Sequence, residues 1–279
     1  MGLYGILIKP FVRRRDIESA SRIALRYFEL IEKIPGGRLI SRWIHRNRPE
    51  GLQREVFGLD FYNPVGLGAG LDLYGELYND LNNLGFSFVE IGPMNADGIR
   101  RAIRRIQQDP QNDILAACIR ENFLTAFTLA YDFCDFFVID LSANPSTDIL
   151  DPLLDARLAE DVYKPIVVKL PKELPPSETE DILDYCQMNR IDGIEVQTLE
   201  QIRHIVSYTS GRLPIIADIV IETPEQAAEA LEAGASLVEV RDGLVRQGPR
   251  FISKIQKYLL NQVKNERSNP REDSPAPEA

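Results

Sequence analysis

The chain has 279 residues, 44% hydrophobic and 27% charged, enough for one large α/β domain or two ordinary ones. Its formal net charge of −10 makes the body a poor partner for nucleic acid. Three scattered cysteines, Cys118, Cys134 and Cys186, point to a reducing compartment without a disulfide framework, and two histidines, His45 and His204, with no Cys/His cluster at metal-ligand spacing, argue against zinc and a histidine triad, so no metal site is expected.

The first segment, residues 1–54, reads as a basic helical extension. Twelve Lys/Arg and six Asp/Glu fall within residues 1–55, a balance of +6 that leaves −16 on the remainder. From Asp16 as N-cap, the apolar residues Ile17, Ala20, Ile23, Ala24, Tyr27, Leu30, Ile31 and Ile34 follow helical spacing until Pro35-Gly36-Gly37 ends the run. A second short helix over "RLISRWIHR" brings Leu39, Ile40, Trp43 and Ile44 near one another among arginines. Two amphipathic helices of this composition suit the surface of an anionic bilayer; packing against the main domain is the plainer alternative. Lys9 and Pro10 interrupt the short apolar opening, and no apolar run reaches the length of a membrane span, so the expected location is cytoplasmic or peripheral on the inner membrane.

From Phe61 onward, short β-branched runs alternate with helical stretches. Eight strands are expected: Val65–Ala69, Phe88–Gly92, Ile114–Ile119, Phe136–Ser142, Pro165–Leu170, Gly193–Gln197, Leu213–Ile219 and Leu237–Arg241. Helices are expected over Tyr74–Leu84, Glu121–Tyr131, Pro224–Ala233 and Pro249–Val263. Continuous apolar strands are buried on both faces, as in parallel sheets. Eight such units make a (β/α)8 TIM barrel over residues 55–263 the expected fold, with an open doubly wound sheet as the rival. Residues 264–279 are polar, charged and proline-containing, and read as a disordered tail.

In a barrel, chemistry belongs at the C-terminal strand ends. The stretches "FYNPVGLGAGLDLYGE", "LGFSFVEIG", "VVKL", "IDGI", "GRLPII" and "AGASLVEVRDGLVRQGP" stand at or beside those ends. Together they resemble the quinone-type dihydroorotate dehydrogenases over about Arg14 to Ile255. The resemblance implies an FMN-bearing barrel that oxidises dihydroorotate to orotate, hydride passing to the flavin while a serine-type base takes a neighbouring proton. It also implies a helical extension reaching toward membrane quinone, and a homo-oligomer as a further expectation.

The resemblance implies cofactor-binding roles for Gly68, Ala69 and Gly70 under the flavin ring, Lys169 beside it, Thr198 at strand 6, where Gln197-Thr198 partly matches a Thr-Asn pair of the family, and Gly243 in the phosphate loop after strand 8. The glycines also suit a tight strand-to-helix turn, and Lys169 suits a structural ion pair with Asp140 or Glu195. Other positions depart from the family's pattern. Leu73 stands where a lysine would meet substrate and flavin, Pro93 replaces a threonine, and Cys118 aligns with an asparagine. In "DLSANPST", Asp140 replaces an asparagine and Ala143 occupies the position of the base, leaving no catalytic residue there; Ser142 and Ser146 are displaced neighbours. Ala217-Asp218-Ile219-Val220 replaces the phosphate-binding glycines, and Asp242 follows Arg241 before Gly243. The leading expectation is a divergent family member with its catalysis impaired or lost, doubtful in FMN binding, acting as a binding or scaffold protein. An active flavin dehydrogenase with a rearranged site is the alternative, and a different phosphate-handling barrel enzyme a third.

Overall fold

A computed structural model describes residues 3–12, 15–35, 48–110 and 113–268. Its centre is an eight-stranded parallel sheet. The strands are β3 (Val65–Gly66), β4 (Phe88–Met94), β5 (Ile114–Ile119), β6 (Phe136–Asp140), β7 (Ile166–Lys169), β8 (Gly193–Val196), β9 (Ile215–Ala217) and β10 (Leu237–Glu239), in the order β3-β10-β9-β8-β7-β6-β5-β4. An open sheet would leave β3 and β4 as free edges. Instead Leu67 bridges Val89, Leu67 N donates to the Phe88 carbonyl, and Glu90 N donates to that of Leu67, so the ends join and the sheet is a closed barrel. All eight expected strands are present, and those of β6, β7 and β8 are buried along their whole length, because continuous apolar sequence suits burial on both faces.

The helices are α1 (Leu3–Leu7), α2 (Lys9–Val12), α3 (Ile17–Lys33), α4 (Tyr78–Asn82), α5 (Ala96–Gln108), α6 (Phe123–Ala130), α7 (Asp151–Leu158), α8 (Pro176–Met188), α9 (Leu199–Thr209), α10 (Pro224–Glu232), α11 (Asp242–Gln247) and α12 (Arg250–Ser268). Local caps fix several starts. Asn95 accepts from Gly98 N, Thr198 accepts from Gln201 N, and Thr223 with Gln226 forms a capping box ahead of Pro224. The helix expected from Tyr74 begins only at Tyr78, because the buried Asp72 carboxylate takes the amides of Glu76 and Leu77 and Gly75 turns at φ +66. The last helix continues through residues 264–268 into the expected tail. Residues 269–279 and the second helix expected around Trp43 and His45 lie outside the described residues.

The N-terminal helices rest on the C-terminal side of the barrel, where α4 follows β3 and α11 follows β10. Ala20, Ala24 and Phe28 form the buried stripe of α3. The Tyr4 hydroxyl donates to the Val245 carbonyl, and its ring lies over Gly248 and packs with Tyr27 and Phe28.

A hairpin absent from the sequence expectations seals the opposite end. β1 (Arg54–Val56) pairs antiparallel with β2 (Leu59–Phe61) across Phe57-Gly58, both at positive φ, the twist a two-residue hairpin turn requires. Val56 and Phe61 enter the barrel interior against Phe88 and Phe136, with Phe61–Phe88 ring centroids 5.5 Å apart. Gly66 and Gly193 leave the room these rings need: a Cβ would sit 2.1 Å from the Phe88 ring at Gly66 and 2.3 Å from the Phe57 ring at Gly193. Above this aromatic floor lie Ala116, Val138, Val167 and Ile216.

Candidate functional site

One step further along the same inward faces the apolar filling stops. Two residues beyond Phe88, Ala116, Val138, Val167, Gly193, Ile216 and Leu237 stand Glu90, Cys118, Asp140, Lys169, Glu195, Asp218 and Glu239, the alternation of a strand carrying each to the same side as its predecessor. Arg241 follows on β10's exit. The mouth of the barrel is therefore a layer of charge over an oily floor.

Lys169 organises one half of it. Its Nζ lies 2.5 Å from Glu195 Oε1 and 2.6 Å from Asp218 Oδ2. Burial opposes the ammonium, but Glu195, Asp218 and Glu90 outweigh it and raise its pKa, so Lys169 stays charged. Of the two partners expected from sequence, Glu195 is the one realised. Asp140 turns instead to Arg120, 2.7 Å away, and accepts from Ser142 N. Burial works against the Asp140 charge, yet the Ser142 hydrogen bonds and Arg120 prevail and lower its pKa.

The other half lacks such pairing. Glu90 and Glu239 are fully enclosed and face each other within reach of a shared proton, with the Cys118 thiol beside Glu90; among the described residues no N–H or hydroxyl donates to either, and the same holds for Glu195 Oε2. One oxygen each of Glu90, Glu195 and Glu239 lies within 4.8 Å of the other two. Burial raises the pKa of all three, reinforced by their mutual repulsion for Glu195 and Glu239, and it also raises that of the Cys118 thiol next to Glu90.

The candidate cofactor residues are placed as follows. Gly68 faces Glu239: a Cβ would stand 2.5 Å from Glu239 Oε2. Ala69 is buried, and its carbonyl accepts from Arg241 Nη1 at 2.7 Å. Gly70 has φ +101, and a Cβ added there would stand 3.0 Å from that guanidinium. Lys169 is held as described. The Thr198 hydroxyl caps α9. Gly243 is pressed against Phe251 and the Ile221 carbonyl, where a Cβ would come within 2.2 and 2.3 Å. Arg241 also reaches Asp242 Oδ1 at 3.2 Å.

Ala143 and Ser142 are exposed just past β6, and Ser146 accepts from Asp148 N. Leu73 is 44% exposed, while Tyr74 lies under the Arg101 guanidinium, which also pairs with Glu76. Arg100, Arg104 and Arg105 lie on the solvated face of α5. His204 is a partly exposed residue of α9, 3.5 Å from Glu180, and His45 lies outside the described residues. All three cysteines are buried free thiols.

Sequence reasoning passed over Glu90, Glu239 and Arg120. Glu90 and Glu239 stand within "VEIG" and "LVEV", where their step of two from Phe88 and Leu237 is the signal that places them inside.

Comparison with known proteins gives a consistent direction. The model of the dihydroorotate dehydrogenase family matches residues 191–263. A dihydroorotate dehydrogenase (quinone) of Christiangramia forsetii is 26% identical over 338 residues, covering 92% of this chain and 99% of the relative. Another, from Nitrosospira multiformis, is 26% identical and covers 93% and 96%. The first alignment is longer than the 279-residue chain, so that relative carries segments without a counterpart here. Among solved structures, ligand-free DHODH from Eimeria tenella superposes with a TM-score of 0.70 at 19% identity, over 81% of this chain and 94% of that one, a likeness of fold.

Proposed function

We propose that the chain is a divergent member of the quinone-type dihydroorotate dehydrogenase family, and that it has left the family's reaction and acts as a binding or scaffold protein. The observation that carries this reading is the filling of the glycine recess on β3 by the chain's own charged side chains. FMN, where the family binds it, supplies a hydride acceptor lying flat on small residues. Here the bed beside Gly68 and Gly70 is taken by Glu239 and Arg241, and Lys169 is committed to two carboxylates. These residues do not fit a flavin in that place, so no step is routed through one.

The proton-transfer side supports the same reading. A base must lie within hydrogen-bond reach of its proton. Ala143 has no group to offer, the exposed Ser142 is joined to Asp140, and the Ser146 hydroxyl caps a turn. An anionic substrate would also meet Leu73 where the family has a lysine, and the mouth's cations Lys169, Arg120 and Arg241 are already paired with carboxylates.

The N-terminal layer supplies the binding surface in this proposal. Ile6, Leu7, Phe11, Leu30 and Ile34 are each more than half exposed, with Arg15, Arg22, Arg26 and Lys33 exposed among them. Apolar side chains ringed by cations suit the interface of an anionic bilayer. Among the described residues no helix is long and apolar enough to cross a membrane.

The deciding measurement is the absorbance spectrum of the purified chain before and after adding FMN. No flavin band, and no flavin retained through gel filtration, is expected. Stoichiometric yellow flavin would overturn the proposal. Lys169, kept at the family's position, favours the second reading, an active dehydrogenase with a rearranged site; that reading requires flavin colour that bleaches with dihydroorotate.

A further inference from the structure

We propose that Glu90, Glu195 and Glu239 form a buried site for a divalent cation of the hard, oxygen-preferring class. The three belong to β4, β8 and β10, strands that only closure of the barrel brings together. Each offers an oxygen within 4.8 Å of the others. A hard cation holds oxygens at about 2.0–2.6 Å, so opposed ligands stand roughly 4–5 Å apart, which matches this spacing. All-carboxylate ligation selects magnesium, calcium or manganese over the softer metals.

The electrostatics ask for the same guest. Lys169 already serves Glu195 and Asp218, and Arg241 is turned to Asp242 and the Ala69 carbonyl. That leaves Glu90 and Glu239, fully enclosed and facing each other, with four oxygens to which no N–H or hydroxyl among the described residues donates. Buried carboxylates in that state are costly unless they are neutralised or coordinate a cation. Two carboxylates without a bonded cation carry the charge that one divalent ion cancels. Gly68 makes the room: any larger residue would press its Cβ onto Glu239 Oε2. The inference rests on the carboxylates alone and does not require the proposed loss of FMN.

The test uses the full chain dialysed against a chelator, with Mg2+, Ca2+ and Mn2+ added separately and thermal unfolding followed by circular dichroism. At least one ion should raise Tm by about 5–10 °C at a hundredfold excess over its Kd. E90Q and E239Q should each abolish the rise, while the surface double variant E160Q/D161N should keep it. If the buried variants do not fold, electron paramagnetic resonance of Mn2+ on the unaltered chain decides: an immobilised spectrum that chelator erases slowly supports an enclosed ion. The proposal is overturned if no ion moves Tm and Mn2+ retains its free-ion spectrum, which leaves the carboxyls sharing protons. It is equally overturned if the rise survives E90Q and E239Q or vanishes in E160Q/D161N. Flavin absorbance, read on the same samples, separates this outcome from that of the functional proposal.

Discussion

Replacing Lys169 by methionine keeps most of the stem and removes the charge that holds half of the mouth together. The Lys169 side chain is 9% exposed and that of Glu195 is 0% exposed, at 2.5 Å, with Asp218 at 2.6 Å. Removing one partner of a buried pair costs about 3–5 kcal/mol, because the abandoned charge stays enclosed. Two carboxylates are abandoned here, so the upper part of that range is expected, a Tm lower by roughly 10–20 °C. The raised pKa of Lys169 gives the sign with pH: its contribution is whole below the ordinary lysine value of 10.5 and is lost only as pH rises through the higher folded value. Urea unfolding of the chelated protein at pH 7, followed by circular dichroism, measures the loss. K169M/E195Q should recover part of it, since an amide needs no counter-charge, giving a coupling of about 1–3 kcal/mol in the double-mutant cycle. A K169M loss below about 1 kcal/mol, or strict additivity with E195Q, would refute the ion-pair assignment and release Lys169 for another role.

G243A should destabilise by at least about 1–3 kcal/mol, because the added methyl meets the Ile221 backbone carbonyl as well as the Phe251 ring; an unchanged urea midpoint would contradict the packing. The depressed pKa of Asp140 means its contribution is present above about pH 3.8 and lost as pH falls below it. D140N should therefore be less stable at neutral pH by about 1 kcal/mol, the half-exposed Arg120 limiting the effect, and should show a shallower acid limb; parallel acid curves would exclude this. I6D/F11D should cut co-sedimentation with phosphatidylglycerol vesicles several-fold while leaving Tm within a few degrees, since both side chains are 61% exposed; equal pelleting would remove the bilayer surface from the proposal.

The barrel was legible because its strands are apolar without interruption and separated by helical stretches, a pattern that an open sheet shares and only strand pairing resolves. The β1–β2 hairpin was not, since Phe57-Gly58 lacks the Asn-Gly or Asp-Gly signature of a two-residue turn. The helix at Tyr74 was placed early because periodicity does not reveal that Asp72 takes the first amides for a turn. At the site, the substitutions at Leu73, Ala143 and Asp218 stood out against the family's pattern. The grouping of Glu90 with Glu195 and Glu239 did not, because it depends on which strands close the barrel.

The aromatic stopper beneath the barrel has a kinetic consequence. With Val56, Phe57 and Phe61 wedged into one end, traffic to the inner acids must pass the gateway guarded by Lys169 and Arg241. A one-ended vessel of this kind fills and empties at the rate its rim loosens, so residence of any guest tracks breathing of the rim, and loosening the hairpin should open a second exit and shorten that stay.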